Sequence, residues 1–267
     1  MEHYRSARTK RNFSVKSIAT HSTPVTEDFY RYEFKYFLSL QHREEVESEV
    51  ANFMNFDGHV HEDLDQAYYV RSLYFENEAS THFYEKTDGI RVRRKYRLRT
   101  YGTSFDPELP IYLEEKNRNL DRVQKHRVRI DPKHLEIFYN PLQCDELLEL
   151  YSGVELIERF LFDALRRSIQ PKLLVDYIRR PYVSAYDMNF RVTFDSTLLT
   201  TATNQLFPSS SSNWLESLAG YTILEVKFNR RIPVWFHRIL QSHNMRRLSF
   251  SKFVQGMEAT GLAIDLS

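Results

Sequence analysis

The chain has 267 residues, 42% hydrophobic and 27% charged, with 37 Lys+Arg against 36 Asp+Glu. That length suits one large β-rich domain with a sizeable core, and the balanced charge excludes a globally basic nucleic-acid binder. Glycine is scarce, seven residues where average usage gives roughly nineteen. Neither G-x-G-x-x-G nor G-x-x-x-x-G-K-[ST] occurs, so phosphate chemistry here must use side chains rather than backbone cradles.

A single cysteine, Cys144, excludes internal disulfides and thiolate-rich zinc sites and reads as a packed helix residue in a reducing compartment. No apolar run approaches the ~20 residues of a membrane span. The basic N-terminus lacks an apolar h-region, so the expectation is a soluble, cytoplasmic protein.

Residues 1–28 are polar and basic and read as a flexible tail, with 29–262 as one folded domain. A strand follows over Tyr30–Leu38, with Arg31, Glu33 and Lys35 on one face and Tyr32, Phe34 and Tyr36 on the other. A helix is predicted over 41–55, a strand over Tyr68–Phe75 and a short helical turn over Asn77–Tyr84. Three strands joined by short turns then span Ile90–Tyr101, Pro110–Arg118 and Arg122–Ile130. Helical spacing predicts helices over Leu142–Tyr151 and Val154–Ile169, followed by strands over Lys172–Arg180 and Phe190–Phe194. Residues 200–213, rich in Ser, Thr and Asn, read as an exposed loop. Tyr221–Phe228 is a strand, and Pro233–Ser242 and Ser251–Thr260 are helices. The economical fold is α+β, built on an antiparallel sheet.

The strands carry an unusual charge pattern. Alternation puts Arg91, Arg93, Lys95, Arg97 and Arg99 on one face, where neighbours about 7 Å apart repel by roughly 2 kcal/mol each at an effective dielectric near 20. A solvated edge strand would tolerate this, but the pattern recurs. Glu114, Lys116 and Arg118 share a face, as do Lys125, Arg127 and Arg129. Arg191, Thr193 and Asp195 oppose Val192 and Phe194, and Glu225 and Lys227 oppose Leu224, Val226 and Phe228. If the apolar faces pack on helices, the charged faces must meet one another. A β-barrel closed around a polar bore satisfies both demands. Its excess of basic groups suits a chain of phosphates, and interleaved glutamates suit hard divalent cations.

Arg31-Tyr-Glu-Phe-Lys35, Arg71-Ser-Leu-Tyr-Phe75, Arg97-Leu-Arg99 and Leu113-Glu-Glu-Lys116 resemble the first half of the VTC domain. Arg191-Val-Thr-Phe-Asp195, Leu224-Glu-Val-Lys227 and Phe250-Ser-Lys252-Phe253 resemble its second half. This domain is the polyphosphate polymerase module of the vacuolar transporter chaperone complex and belongs to the triphosphate tunnel metalloenzymes, so the resemblance implies an antiparallel β-barrel tunnel with helices packed on its outside. The resemblance implies transfer of the ATP γ-phosphate to a growing polyphosphate chain, with Mn²⁺ or Mg²⁺ as cofactor and no Ser-His-Asp or Cys-His constellation. It implies Glu225 as principal metal ligand with Glu33 and Glu114 in support, and Lys35, Arg97, Arg99, Lys116, Arg191, Lys227 and Lys252 as the catalytic cations. Lys125, Arg127, Arg71, Lys86 and Ser251 would bind phosphate.

Without the resemblance, Glu225 and Glu33 read as members of ordinary cross-strand ion pairs and Ser251 as a helix N-cap. His59 and His61 read as part of a solvated acidic loop. The hydrolytic tunnel enzymes carry E-x-E-x-K on the first strand; Arg31 stands at the first position here and favours the polymerase branch. A tripolyphosphatase or nucleoside triphosphatase of the same fold, or a non-catalytic module binding polyphosphate or RNA, are the alternatives. The expected partners are ATP and polyphosphate, without nucleic acid. Eukaryotic VTC proteins carry an SPX domain and a transmembrane segment; neither is expected here, which leaves room only for peripheral membrane association.

Overall fold

The computed structural model describes residues 27–57, 60, 62–142, 145–187, 189–209 and 212–265, with the side chains of 27–30 and 62 excepted. The expectations for residues 1–26, His59, His61 and Cys144 lie outside these residues.

In chain order the elements are β1 (Glu27–Ser39), α1 (Leu40–Ala51), β2 (Met54–Phe56), β3 (Tyr68–Glu76), α2 (Thr81–Thr87), β4 (Val92–Thr100), β5 (Ile111–Asn119) and β6 (Arg122–Ile130). A 3₁₀ stretch, Pro132–Tyr139, leads to α3 (Asp145–Leu150), α4 (Glu155–Arg167), β7 (Gln170–Ser184) and β8 (Arg191–Ala202). Last come β9 (Leu215–Ser217), β10 (Tyr221–Phe228), α5 (Val234–Ser242) and α6 (Lys252–Ala259). The strand pairing β7-β3-β4-β5-β6-β1-β10-β8 is closed by a β7–β8 ladder, so eight antiparallel strands form a ring. The short strands β2 and β9 continue the edges of β7 and β8 beyond their partners.

Alternation explains the closure. Leu73, Phe75, Leu98, Leu113 and Val128 point outward into a core completed by Leu156, Phe160 and Leu161 of α4. That helix places Glu155 and Glu158 in its first turn and Arg166 and Arg167 in its last, complementing its dipole. On the opposite side Tyr36, Val192, Phe194, Leu224 and Val226 meet Val46 and Val50 of α1 and Phe236 and Ile239 of α5. The charged faces are left to the inside.

Three expectations are corrected. The predicted helix over 41–55 ends at Ala51, and Met54–Phe56 is strand. The loop predicted over 200–213 begins later, because β8 runs to Ala202 and pairs along its length with β7, and Leu215–Ser217 forms β9. Not all helices lie outside. Phe253 and Met257 of α6 pack with Val70, Tyr74, Leu173, Val175 and Ile223, whereas Leu174 belongs to the outer core. The side of β7 that carries Leu173 and Val175 is therefore the inner one, and α6 fills part of the barrel's interior.

This insertion explains Gly256. A Cβ there would sit 2.9 Å from Leu173 Cδ2 and 3.0 Å from Thr200 Cγ2. Glycine normally weakens a helix by about 1 kcal/mol relative to Ala, so close approach to the strands is what it provides. Gly256→Val is expected to destabilise the fold by ~2–3 kcal/mol through overpacking, read from chemical denaturation.

Candidate functional site

The ring encloses a cavity of about 1030 Å³. Sixteen Lys and Arg side chains line it against three carboxylates, Glu33, Asp57 and Glu225. Near neutrality of the whole chain thus conceals a strongly cationic interior, whose low-dielectric walls focus its field on anions.

Every strand of the ring contributes. Arg31, Glu33 and Lys35 face inward from β1, Arg93, Lys95, Arg97 and Arg99 from β4, Lys116 and Arg118 from β5, and Lys125 and Arg127 from β6. Tyr74 comes from β3, Tyr177 and Arg179 from β7, Arg191 and Thr193 from β8, and Glu225 and Lys227 from β10. Each series advances by two residues, which is the strand period.

The interior charges are arranged around four carboxylates, Glu225, Asp195, Glu114 and Glu33. Glu225 is held by Lys252 and Lys227 at 3.0 Å each, Arg179 at 3.2 Å and Lys35 at 3.4 Å. Burial pushes its carboxyl up, but these four cations hold it well below the usual carboxylate range. Asp195 is fully buried beneath it. Its two oxygens accept from Arg179 at 2.6 and 2.7 Å, and Lys252 lies 2.6 Å away. Lys252, the first residue of α6, thus bridges both carboxylates; burial depresses its pKa, and Asp195 and Glu225 more than reverse that. Ser251 caps the helix, accepting from the Val254 amide at 3.4 Å, and also lines the cavity.

Glu114 anchors the other wall. Arg97 donates to Oε2 from two nitrogens at 2.8 and 2.6 Å, Lys125 donates to Oε1 at 3.0 Å, and Arg99 lies 3.6 Å away. Arg97 also donates to the Tyr74 hydroxyl at 2.8 Å, and Arg99 to Ser72 and Tyr177. Glu33 pairs with Lys116 at 2.6 Å. At one mouth Arg191 pairs with Asp57, while Arg127 stacks over Tyr112, 4.5 Å from its ring centre. At the other, Lys86 donates to Ser249 at 2.9 Å beside Arg93, Arg118 and Arg247.

The sequence-derived residues converge with two exceptions. Lys35, Arg97, Arg99, Lys116, Lys125, Arg127, Arg191, Lys227, Lys252, Lys86, Ser251, Glu33 and Glu225 all line one cavity. Arg71 does not. On β3 the inward positions are Val70, Ser72 and Tyr74, so Arg71 points outward and spends its donors on Asp176 at 2.6–3.2 Å and on the carbonyls of Thr103 and Leu206. Glu114 is the second exception: it is completely buried behind Arg97 and Lys125 and is absent from the cavity wall, a position that suits an anchor for cations better than a ligand for a metal.

The remaining carboxylates fit a hard cation. Glu33 and Glu225 face the cavity from hydrogen-bonded neighbouring strands and offer oxygen donors of the kind Mg²⁺ and Mn²⁺ prefer. Among the described residues no three His, Cys, Asp or Glu side chains converge on one point. The rest of such a coordination shell would come from phosphate oxygens and water, as is usual for these ions.

Arg179 and Asp195 escaped sequence reasoning as site residues. Two adjacent arginines, Arg179 and Arg180, left the inward one undetermined, and the register shifts between Asp176 and Ile178. Arg180 points outward to Glu47 at 3.0 Å. Lys95 adds a further feature: its Nζ is buried without a hydrogen-bond partner, 3.9 Å from the centre of the Phe253 ring.

A pH dependence follows from Lys125, whose ammonium burial pushes down to about 8 against the pull of Glu114. Below that value the tunnel keeps this positive charge; as pH rises through it the charge is lost. Tripolyphosphate affinity, measured by calorimetry, is expected to fall above about pH 8, with the bound anion moving the midpoint upward, and Lys125→Met is expected to flatten this limb.

A family model described as the VTC domain matches residues 30–260. No curated protein matches the sequence. Among solved structures, a protein of Pyrococcus horikoshii is similar at 14% identity, covering 85% of this chain and 98% of its own, with a TM-score of 0.45. A putative adenylate cyclase of Bacillus halodurans is similar at 11% identity, with coverages of 83% and 93% and a TM-score of 0.49. A putative adenylyl cyclase of Hippeastrum, described as having a dominant triphosphatase activity, is similar at 13% identity, with coverages of 86% and 96% and a TM-score of 0.49.

Proposed function

The chain belongs to the VTC domain family, and from that premise we propose that it is a polyphosphate polymerase, transferring the γ-phosphate of ATP to a polyphosphate chain held in the barrel. The observation that supports this most is the cavity wall itself, sixteen cations against three carboxylates along a bore lined by every strand of the ring. A linear polyanion matches such a wall along its length, whereas a compact anion would use only a fraction of it.

Phosphoryl transfer asks for in-line positioning and neutralisation of charge more than for a protein nucleophile. Arg97 and Arg99, splayed by Glu114, Ser72 and Tyr74, offer guanidinium groups in fixed orientations to phosphate oxygens. Lys35, Lys227 and Arg179 surround Glu225 and hold the transferred group on the opposite wall. The acceptor's terminal phosphate supplies the nucleophile, so no side chain need form a bond to phosphorus. Glu225 and Glu33 would hold a divalent cation, which would add charge neutralisation at the phosphates. Arg31, where the hydrolytic relatives of this fold carry glutamate, removes one carboxylate that could orient an attacking water.

Incubation with ATP and Mn²⁺, followed by gel analysis of polyphosphate and assay of free phosphate, tests the reading. Long chains with ADP release are expected. Free phosphate without chains means a triphosphatase, and neither product means a binding module.

A further inference from the structure

From Val226 to Met257 the sequence contains no Asp or Glu, yet it carries seven Lys and Arg. Three of these, Lys227, Arg247 and Lys252, line the tunnel. The other four, Arg230, Arg231, Arg238 and Arg246, lie on the outside of the molecule and are exposed. Among the described residues they form no ion pair, in contrast to tunnel cations such as Lys35, Arg97, Lys116, Arg179, Lys227 and Lys252, which pair with carboxylates.

The exposed side of α5 explains their placement. Val234, His237, Arg238 and Gln241 follow at helical spacing and are exposed, while Phe236 and Ile239 are buried against the barrel. Val234, in the first turn, is 71% exposed. Beside it Trp235 stacks on Phe53 at 4.5 Å and 13°, and Phe53 is itself 48% exposed. Arg230 and Arg231 border a hollow with Asn229, Asn189 and Asp187 just before the helix. Arginines and an apolar knuckle therefore occupy one face. Asp187 borders the hollow, and Glu49 of the neighbouring helix α1, which also exposes Glu44 and Glu45, binds His243 at 2.8 Å.

We propose that this face, formed by Asn229–Arg231, the outer side of α5 and Phe53, is a docking surface for an anionic phospholipid membrane. Unpaired arginines attract acidic headgroups, each contributing on the order of 1 kcal/mol near a charged leaflet, which converts to roughly fivefold in affinity. Exposed Val234 and Phe53, with partly buried Trp235 stacked on the latter, gain by entering the boundary between headgroups and acyl chains, where aromatic and aliphatic groups settle with arginines beside them. A free polyanion would use the arginines but would gain nothing from Val234 or Phe53. No helix among the described residues is long and apolar enough to cross a membrane.

Co-sedimentation of the full chain with phosphatidylcholine vesicles, with and without phosphatidylglycerol, tests this. Binding is expected only to the anionic vesicles and is expected to weaken with salt. The triple variant Arg230→Glu, Arg231→Glu, Arg238→Glu is expected to lose at least about a hundredfold in vesicle affinity. Val234→Asp should weaken it as well. Both variants are expected to keep the wild-type unfolding temperature and the wild-type ATP turnover in solution. Absence of binding to anionic vesicles overturns the proposal, as does equal binding by the triple variant. Displacement of vesicles by inorganic polyphosphate, combined with full binding by Val234→Asp, also overturns it, because the face would then read only negative charge.

Discussion

Glu225→Gln is expected to reduce metal-dependent ATP turnover by about a hundredfold to a thousandfold, while metal-free binding of tripolyphosphate is kept or strengthened. The split arises from the position of this carboxylate. It meets four cations at 3.0–3.4 Å and also faces the cavity beside Glu33. An amide preserves the shape but offers a divalent cation a much poorer ligand, so a metal-assisted step is lost. The same change frees Lys35, Lys227, Lys252 and Arg179 from their shared counter-charge, and their unbalanced field favours an anion. The variant is also expected to unfold at lower temperature and to recover on adding tripolyphosphate, which replaces the missing negative charge. Isothermal titration and a turnover assay read the two effects separately. Undiminished metal-dependent turnover would remove Glu225 from the site.

Glu114→Gln is expected to act on stability first, lowering it by ~3–5 kcal/mol in chemical denaturation, the usual consequence of removing one partner from a buried ion pair. Burial pushes this carboxyl up, but Arg99, Arg97 and Lys125 hold it well below the usual range. A carboxylate with a depressed folded pKa contributes stability that is present above the unfolded value, about 4.5, and is lost as pH falls toward the folded one. The variant should therefore lose less stability than the wild type on acidification. If Glu114 is an anchor and not a metal ligand, the variant that remains folded should keep its apparent metal affinity. A large loss of metal affinity at unchanged denaturation midpoint would reverse that assignment.

Strand alternation made much of this readable in advance. Arg93, Lys95, Arg97 and Arg99 fall on one face by simple counting, and Glu225 and Lys227 oppose three apolar residues. A regular β-strand offers no other way to satisfy such a pattern than one wet face and one dry face. The same counting, applied to β3, sets Arg71 on the side of Leu73 and Phe75, away from Ser72 and Tyr74; a resemblance of motif drew it into the site where the pleat does not. Arg179 was hidden for a different reason. Its strand carries Leu173 and Val175 on the inner side and Leu174 on the outer, because α6 occupies that part of the interior, so both faces are apolar and the period disappears. Nothing local announces that a short C-terminal helix enters a barrel. Gly256 is the nearest thing to a signal, and its meaning depends on Leu173 and Thr200, both far away in the chain.

The placement of α6 also bears on the order in which the molecule can be assembled. Closing the ring requires the first strand to find the last, since β1 pairs with β10, and such distant pairings form slowly. Even then Glu225 and Asp195 lack their shared ammonium until Lys252 arrives with the helix that follows. On a ribosome almost the whole chain must emerge before the cation that bridges these two buried carboxylates is in place. A chain cut short before Lys252 would be an unfinished barrel, in which Asp195 and Glu225 keep Arg179, Lys227 and Lys35 but lose the one ammonium that bridges them from α6.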